Sequence, residues 1–146
     1  MSDLRLEFVA RVVVFDSGLG SLSIIVAIQK ISKAEIIYFA DQKNYPYGNK
    51  SQAELGSIIK TTIKTLQTRY NPDVIVMASN TPSLMLNLPN KKIVNVKPPL
   101  KEALKNSETK KIGILGTKSA IKSRKLTNYI KKEIPRSKKV LRINGF

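Results

Sequence analysis

Short apolar runs rich in β-branched residues recur along this chain, and each breaks off at a cluster of glycine, hydroxyl and amide residues. Arg11-Val12-Val13-Val14-Phe15 ends at Asp16-Ser17-Gly18. Ile36-Ile37-Tyr38-Phe39-Ala40 ends at Asp41, and Asp73-Val74-Ile75-Val76-Met77-Ala78 ends at Ser79-Asn80-Thr81. Lys92 to Val96 and Lys111-Ile112-Gly113-Ile114-Leu115 read the same way, the latter followed by Gly116-Thr117. Val140 to Ile143 is a candidate last run. Continuous runs of this length suit strands buried on both faces, as in a parallel sheet.

Helix-compatible stretches separate the runs. Leu19 to Ile31 carries Leu22, Ile25, Val26 and Ile28 at helical spacing. Ser51 opens a long helix with Glu54 three residues on, the pattern of a capping box, and that helix stops before Asn71-Pro72. Pro82 to Leu88 has room for a short helix only. Pro98 to Lys105 reads as a helix opened by proline, and Ala120 to Glu133 as another. Strand alternating with helix predicts an α/β fold: an open parallel sheet with helices on both faces. Ligands of such folds sit beyond the carboxyl ends of the strands, where the polar clusters fall.

Composition narrows the chemistry. The 146 residues contain no cysteine and no histidine, which excludes disulfides, thiolate or imidazole metal ligands and the usual base near neutral pH. Carboxylates, hydroxyls, lysines, tyrosines and backbone amides are what remain. The charged opening stretch, with Asp3, Arg5, Glu7 and Arg11, reads as no leader, and no apolar run approaches the ~20 residues of a membrane span. A cytoplasmic protein is the expectation. Net charge is +16 and uneven: residues 91–146 hold seventeen Lys/Arg against three Asp/Glu. That bias suits a lysine-rich solvated face. It also leaves open a nucleic-acid surface, although no aromatics are interleaved with the lysines as a single-strand platform requires.

Four polar clusters are candidates for a site. In Asp16-Ser17-Gly18-Leu19-Gly20-Ser21, glycines after a strand turn amides toward a ligand; alternatively, Asp16 or Ser17 caps the next helix. Tyr45-Pro46-Tyr47-Gly48-Asn49-Lys50-Ser51 is a fixed turn presenting donors, or an ordinary loop into the Ser51 cap. Ser79-Asn80-Thr81 could hold a carboxylate through hydroxyls and amides, or cap the helix at Pro82. Gly113-Ile114-Leu115-Gly116-Thr117-Lys118-Ser119 follows a strand and could bind an anion, or is a plain strand-to-helix turn; it lacks the spacing of a P-loop.

Taken together and in order, these segments resemble the glutamate racemase family. The likeness rests on Val13 to Ser23, Tyr38-Phe39-Ala40-Asp41, Tyr47-Gly48 with Lys50-Ser51, Asn80-Thr81, and Ile112 to Thr117 with Ile121-Lys122-Ser123. It implies a first racemase-like α/β lobe over residues 1–97 and the start of a second, incomplete lobe over 98–146. It also implies cofactor-independent interconversion of L- and D-glutamate for peptidoglycan synthesis, with one thiol on each face of the substrate. No metal or other cofactor is expected. The family's first cysteine falls on Ser79, with Asp16 assisting. Its substrate contacts fall on Asp16, Ser17, Tyr47, Gly48, Asn80 and Thr81. The second catalytic segment has no counterpart in these residues, and Lys97 stands before Pro98 where the family usually has glutamate.

An alcohol is far less acidic than a thiol of pKa about 8.5, so a serine needs a neighbouring base to react. The expectation is an impaired or inactive racemase. The alternative is a non-catalytic module or truncated remnant, holding a small amino-acid dicarboxylate or presenting a basic surface to nucleic acid. A homodimer would cover apolar faces left open by an incomplete lobe.

Overall fold

The computed structural model describes residues 9–88 and 90–145. Among the described residues, six strands and six helices follow in order: β1 (Arg11–Asp16), α1 (Ser21–Gln29), β2 (Glu35–Ala40), α2 (Gln52–Tyr70), β3 (Val74–Met77) and α3 (Asn80–Met85), then β4 (Ile93–Asn95), α4 (Leu100–Asn106), β5 (Lys111–Gly116), α5 (Lys118–Lys122), α6 (Arg124–Glu133) and β6 (Lys139–Asn144). Two single 3-10 turns, Gln42–Asn44 and Tyr47–Asn49, lie between β2 and α2.

The first four strands form one parallel sheet in the order β2-β1-β3-β4. β1 is central because it is apolar on both faces, with Val12, Val13, Val14 and Phe15 all buried. Alternate residues serve opposite sides. Val13, Phe15, Ile75 and Met77 pack against Leu55, Ile59 and Leu66 of α2. Val12, Val14 and Val76 turn to the side where Ile24, Ile25 and Ile28 of α1 lie. Helices therefore cover both faces, as the strand pattern predicted.

β5 and β6 pair in parallel as a separate two-stranded sheet. Ile112 and Ile114 point into a second core with Leu100, Ile121, Leu126 and Ile134. Leu84 of α3 joins that core, which ties the two sheets together. The other side of β5 and β6 presents Leu115, Leu141 and Ile143 to solvent.

The helix ends explain most differences from the sequence expectation. Ser51 Oγ accepts from the Glu54 amide at 3.2 Å, so α2 begins where the capping pattern placed it. Its C-cap is Asn71, at φ 41°, a left-handed conformation that asparagine tolerates. The stretch expected as one helix over Ala120 to Glu133 is instead two. Ser123 is extended (ψ 139°), donates its hydroxyl to the Leu84 carbonyl at 2.9 Å, and accepts from the Leu126 amide to cap α6. Among the described residues, no helix is long and apolar enough to cross a membrane.

Candidate functional site at the strand ends

The carboxyl ends of β1 and β3 lie side by side. Phe15 pairs with Met77, and the Ala78 amide donates to the Phe15 carbonyl at 2.9 Å. Asp16 and Ser79 thus leave neighbouring strands at the same edge of the sheet. Ser79 is half-buried, and its hydroxyl does not cap α3. Asn80 is exposed and Thr81 half-buried at the start of that helix.

Asp16 is half-buried and folds back on its own loop. One carboxylate oxygen accepts from the Ser17 amide at 2.6 Å, and the other sits 3.3 Å from where a Cβ on Gly20 would be. Neither Asp16 nor Ser17 caps α1, since its N-cap, Gly20, receives no side-chain bond. The capping alternative raised by the sequence does not apply here. Ser17 itself is buried, and with Gly18, Tyr38 and Tyr45 it lines a cleft of about 520 Å³ at the ends of β1 and β2. A larger groove of about 660 Å³ runs between α2 and residues 86–88, away from these strand ends.

The Tyr47-Gly48 turn is held from beneath. Tyr47 is 2% exposed, and its hydroxyl donates to Asp41 Oδ2 at 2.8 Å. Asn44 Nδ2 reaches both Asp41 oxygens, at 2.8 and 2.9 Å, and Thr62 Oγ1 approaches at 3.4 Å. Burial is the main force raising the Tyr47 phenol far above its ordinary range; the Asp41 hydrogen bond and charge add to it, then the Asp16 charge. The Tyr47 ring is therefore committed to the core, and the backbone of this turn is what remains to meet a ligand. The Tyr47 and Gly48 amides donate to no described residue.

Across from Gly48 stands Thr117, at the end of β5. A Cβ on Gly48 would lie 2.4 Å from Thr117 Cγ2, so only glycine permits this approach. Ser119 Oγ donates to the Gly48 carbonyl at 3.3 Å, and the Thr81 and Thr117 hydroxyls are 3.4 Å apart. Three of the four sequence clusters thus converge: the turn at Gly48, the start of α3 at Thr81, and the β5 end at Thr117. Asp16 and Ser17 stay on the β1 side of this group. Residue reading left Thr117 and Ser119 as a plain strand-to-helix turn or an anion site. Their contacts with a glycine about seventy positions earlier leave no local signal. Asp41 was legible only as a strand terminus.

Amides, hydroxyls and one carboxylate at the ends of parallel strands can orient a small polar ligand. Among the described residues, no group of carboxylates could hold a metal ion. Fold and strand-end geometry together define an α/β protein of the open parallel-sheet class with a polar cluster at the carboxyl ends of its strands.

The comparisons with known proteins make that class particular. No family model matches the chain. The glutamate racemase of Treponema pallidum (strain Nichols) is 32% identical over 130 residues, which is 83% of this chain and 47% of that protein. The glutamate racemase of Aquifex pyrophilus is 36% identical over 122 residues, 77% of this chain and 47% of that protein. The solved structure of the Aquifex pyrophilus enzyme superposes with a TM-score of 0.72 at 29% identity, over 90% of this chain and 54% of that one. The Escherichia coli glutamate racemase, solved with L-glutamate and the activator UDP-MurNAc-Ala, shares the fold with a TM-score of 0.82, at 24% identity, over 94% and 54% of the two chains. The chain is a glutamate racemase homologue, and it spans about half the length of the curated relatives it matches.

Proposed function

We propose that this lobe holds the carboxylate and amino groups of a glutamate-like amino acid at the ends of β1, β3 and β5, and that it does not itself racemise it. The observation that carries the proposal is the convergence of Gly48, Thr81 and Thr117 beside the Ser79 end of β3. The Gly48 amide and the Thr81 hydroxyl are the donors for a carboxylate. Asp16 and Asn80 are the partners for the amine, and Ser17 offers a further hydroxyl. Residues 1–97 supply all of these as one lobe, and residues 98–146 begin a second that contributes Thr117.

Proton transfer fails at Ser79 for a chemical reason. Deprotonating the α-carbon of an amino acid needs a base in place, and a serine alkoxide is not available near neutral pH. The chain has no histidine to activate it, and Asp16, engaged with the Ser17 amide, is a weak base. The family's second thiol has no counterpart among these 146 residues, so the opposite face of the ligand lies outside this proposal.

Titrating L- and D-glutamate into the labelled protein tests the binding step. Saturable amide shifts at Gly48, Thr81 and Ser17 with a dissociation constant in about the millimolar range are expected, because an open site buries little of its ligand. An absence of saturable shifts at these positions overturns the binding reading. In heavy water, the α-proton of bound glutamate is expected to persist over days; measurable exchange would show that Ser79 or a neighbour does act as a base.

A further inference from the structure

Asp41 carries a carboxylate that the glutamate reading above leaves without a role, and it is buried. Among the described residues, no lysine or arginine lies within ion-pair distance of it. A buried charge without a counter-ion is costly unless hydrogen bonds satisfy it. Here neutral donors do so. Oδ2 accepts from the Tyr47 hydroxyl at 2.8 Å, from Asn44 Nδ2 at 2.9 Å and from Thr62 Oγ1 at 3.4 Å. Oδ1 accepts from the same Asn44 nitrogen at 2.8 Å. An ionised carboxylate, acceptor-only and with two oxygens, can take all of these at once; a neutral amide, with one acceptor oxygen, cannot.

The bonds join pieces of chain that are otherwise separate. The backbone hydrogen bonds of residues 42–50 are made within residues 41–50, so this loop is tied to the rest of the fold by side chains. Asp41 supplies ties to the turn at Asn44, to the turn at Tyr47 and to α2 at Thr62. Its own amide donates to the Asp16 carbonyl at 2.7 Å and extends the β1–β2 ladder by one bond. One residue thus fixes the Tyr47-Gly48 turn relative to Asp16, two places where the proposed ligand is held. The tolerance there is small, because Gly48 lies against Thr117 with no room for a methyl group, and a binding group has to stay within about 0.5 Å of its productive position.

We infer that Asp41 is a positioning residue of the glutamate site: acting through the Tyr47 hydroxyl, it holds the Gly48 amide where a carboxylate oxygen of the ligand meets it. This inference rests on the glutamate reading above. Asp41 is too deeply buried to touch the ligand itself.

The test is a double-mutant cycle in the full chain, with affinity for L-glutamate read from amide shifts by NMR at constant ionic strength. Asp41→Asn and Tyr47→Phe should each weaken binding about fivefold. Combined, they should still weaken it only about fivefold, because the second change removes a link that the first has already broken. If Asp41→Asn does not fold, Asn44→Ala takes its place in the cycle, with a loss of about twofold alone and none added to that of Tyr47→Phe. Urea unfolding of every variant runs alongside. Lower stability with unchanged affinity makes Asp41 merely structural and overturns the inference, and so do affinity losses that multiply across the cycle. Wild-type shifts that fail to saturate overturn the glutamate reading, and this inference falls with it. Saturation in the wild type with equal affinity in the variants overturns the inference alone.

Discussion

At the scale of single residues, the fit of Gly48 against Thr117 is the sharpest constraint near the candidate site. Gly48→Ala is expected to cost about 1–3 kcal/mol, because the new methyl meets Thr117 Cγ2 and must push β5 away. Thr117→Ser removes that methyl and should restore part of the loss; urea denaturation of the single and double variants checks this. Tyr47→Phe leaves an Asp41 oxygen short of a donor and should cost about 1–3 kcal/mol. The same residue sets an alkaline limit. The folded state holds the phenol protonated above its ordinary range, while the unfolded chain titrates near pH ~10. Stability is therefore flat with respect to this group below about pH 10 and falls above it as the unfolded state loses the proton. Tyr47→Phe should flatten that limb, which thermal unfolding at several alkaline pH values reads directly. Neither relation was visible in the chain. Tyr47 was a candidate through its Pro-Tyr-Gly turn and the family resemblance, yet its hydroxyl finds Asp41 six positions earlier and its ring finds the core.

At the scale of elements, legibility followed locality. The strand runs were readable because a two-sided apolar environment demands consecutive Val, Ile and Phe residues, as at Val12 to Phe15. The start of α2 was readable because its cap and its partner are three residues apart. The break at Ser123 was not, because helical spacing continues through it from Ala120 to Glu133. What breaks the helix is the hydroxyl bond to Leu84, thirty-nine positions away, together with the cap it gives to α6. Ser123→Ala is expected to lose about 1–2 kcal/mol by removing both bonds, with the loss concentrated in amide protection of α6 rather than of β1. Hydrogen exchange separates that outcome from a uniform loss. Ser51→Ala, which removes a cap alone, should cost about 1 kcal/mol.

At the scale of the whole molecule, the two sheets differ in how they are closed. The four-stranded sheet has a helix against each face, whereas β5 and β6 have Leu115, Leu141 and Ile143 in the open. A parallel sheet ordinarily hides both faces. Leu141→Gln is expected to change stability by no more than about 0.5 kcal/mol, since little packing is lost, while reducing fluorescence of a dye that reports apolar surface. The strong positive charge of residues 91–146 shares this half of the chain and was plain in the sequence; the placing of Lys97 over the Tyr129 ring was not, because it depends on α6 lying against the loop after β4. The order β2-β1-β3-β4 also has a consequence in time. As the chain leaves the ribosome, β1 meets β2 across about two dozen residues, but its other neighbour arrives only some sixty residues later. Until β3 slots into that second edge, Asp16 has no Ser79 beside it and Gly48 has no Thr81 or Thr117 to face. Any partly folded form lacking β3 therefore lacks the proposed site, and if glutamate binds there, glutamate added during refolding should act only after that late, long-range pairing has closed.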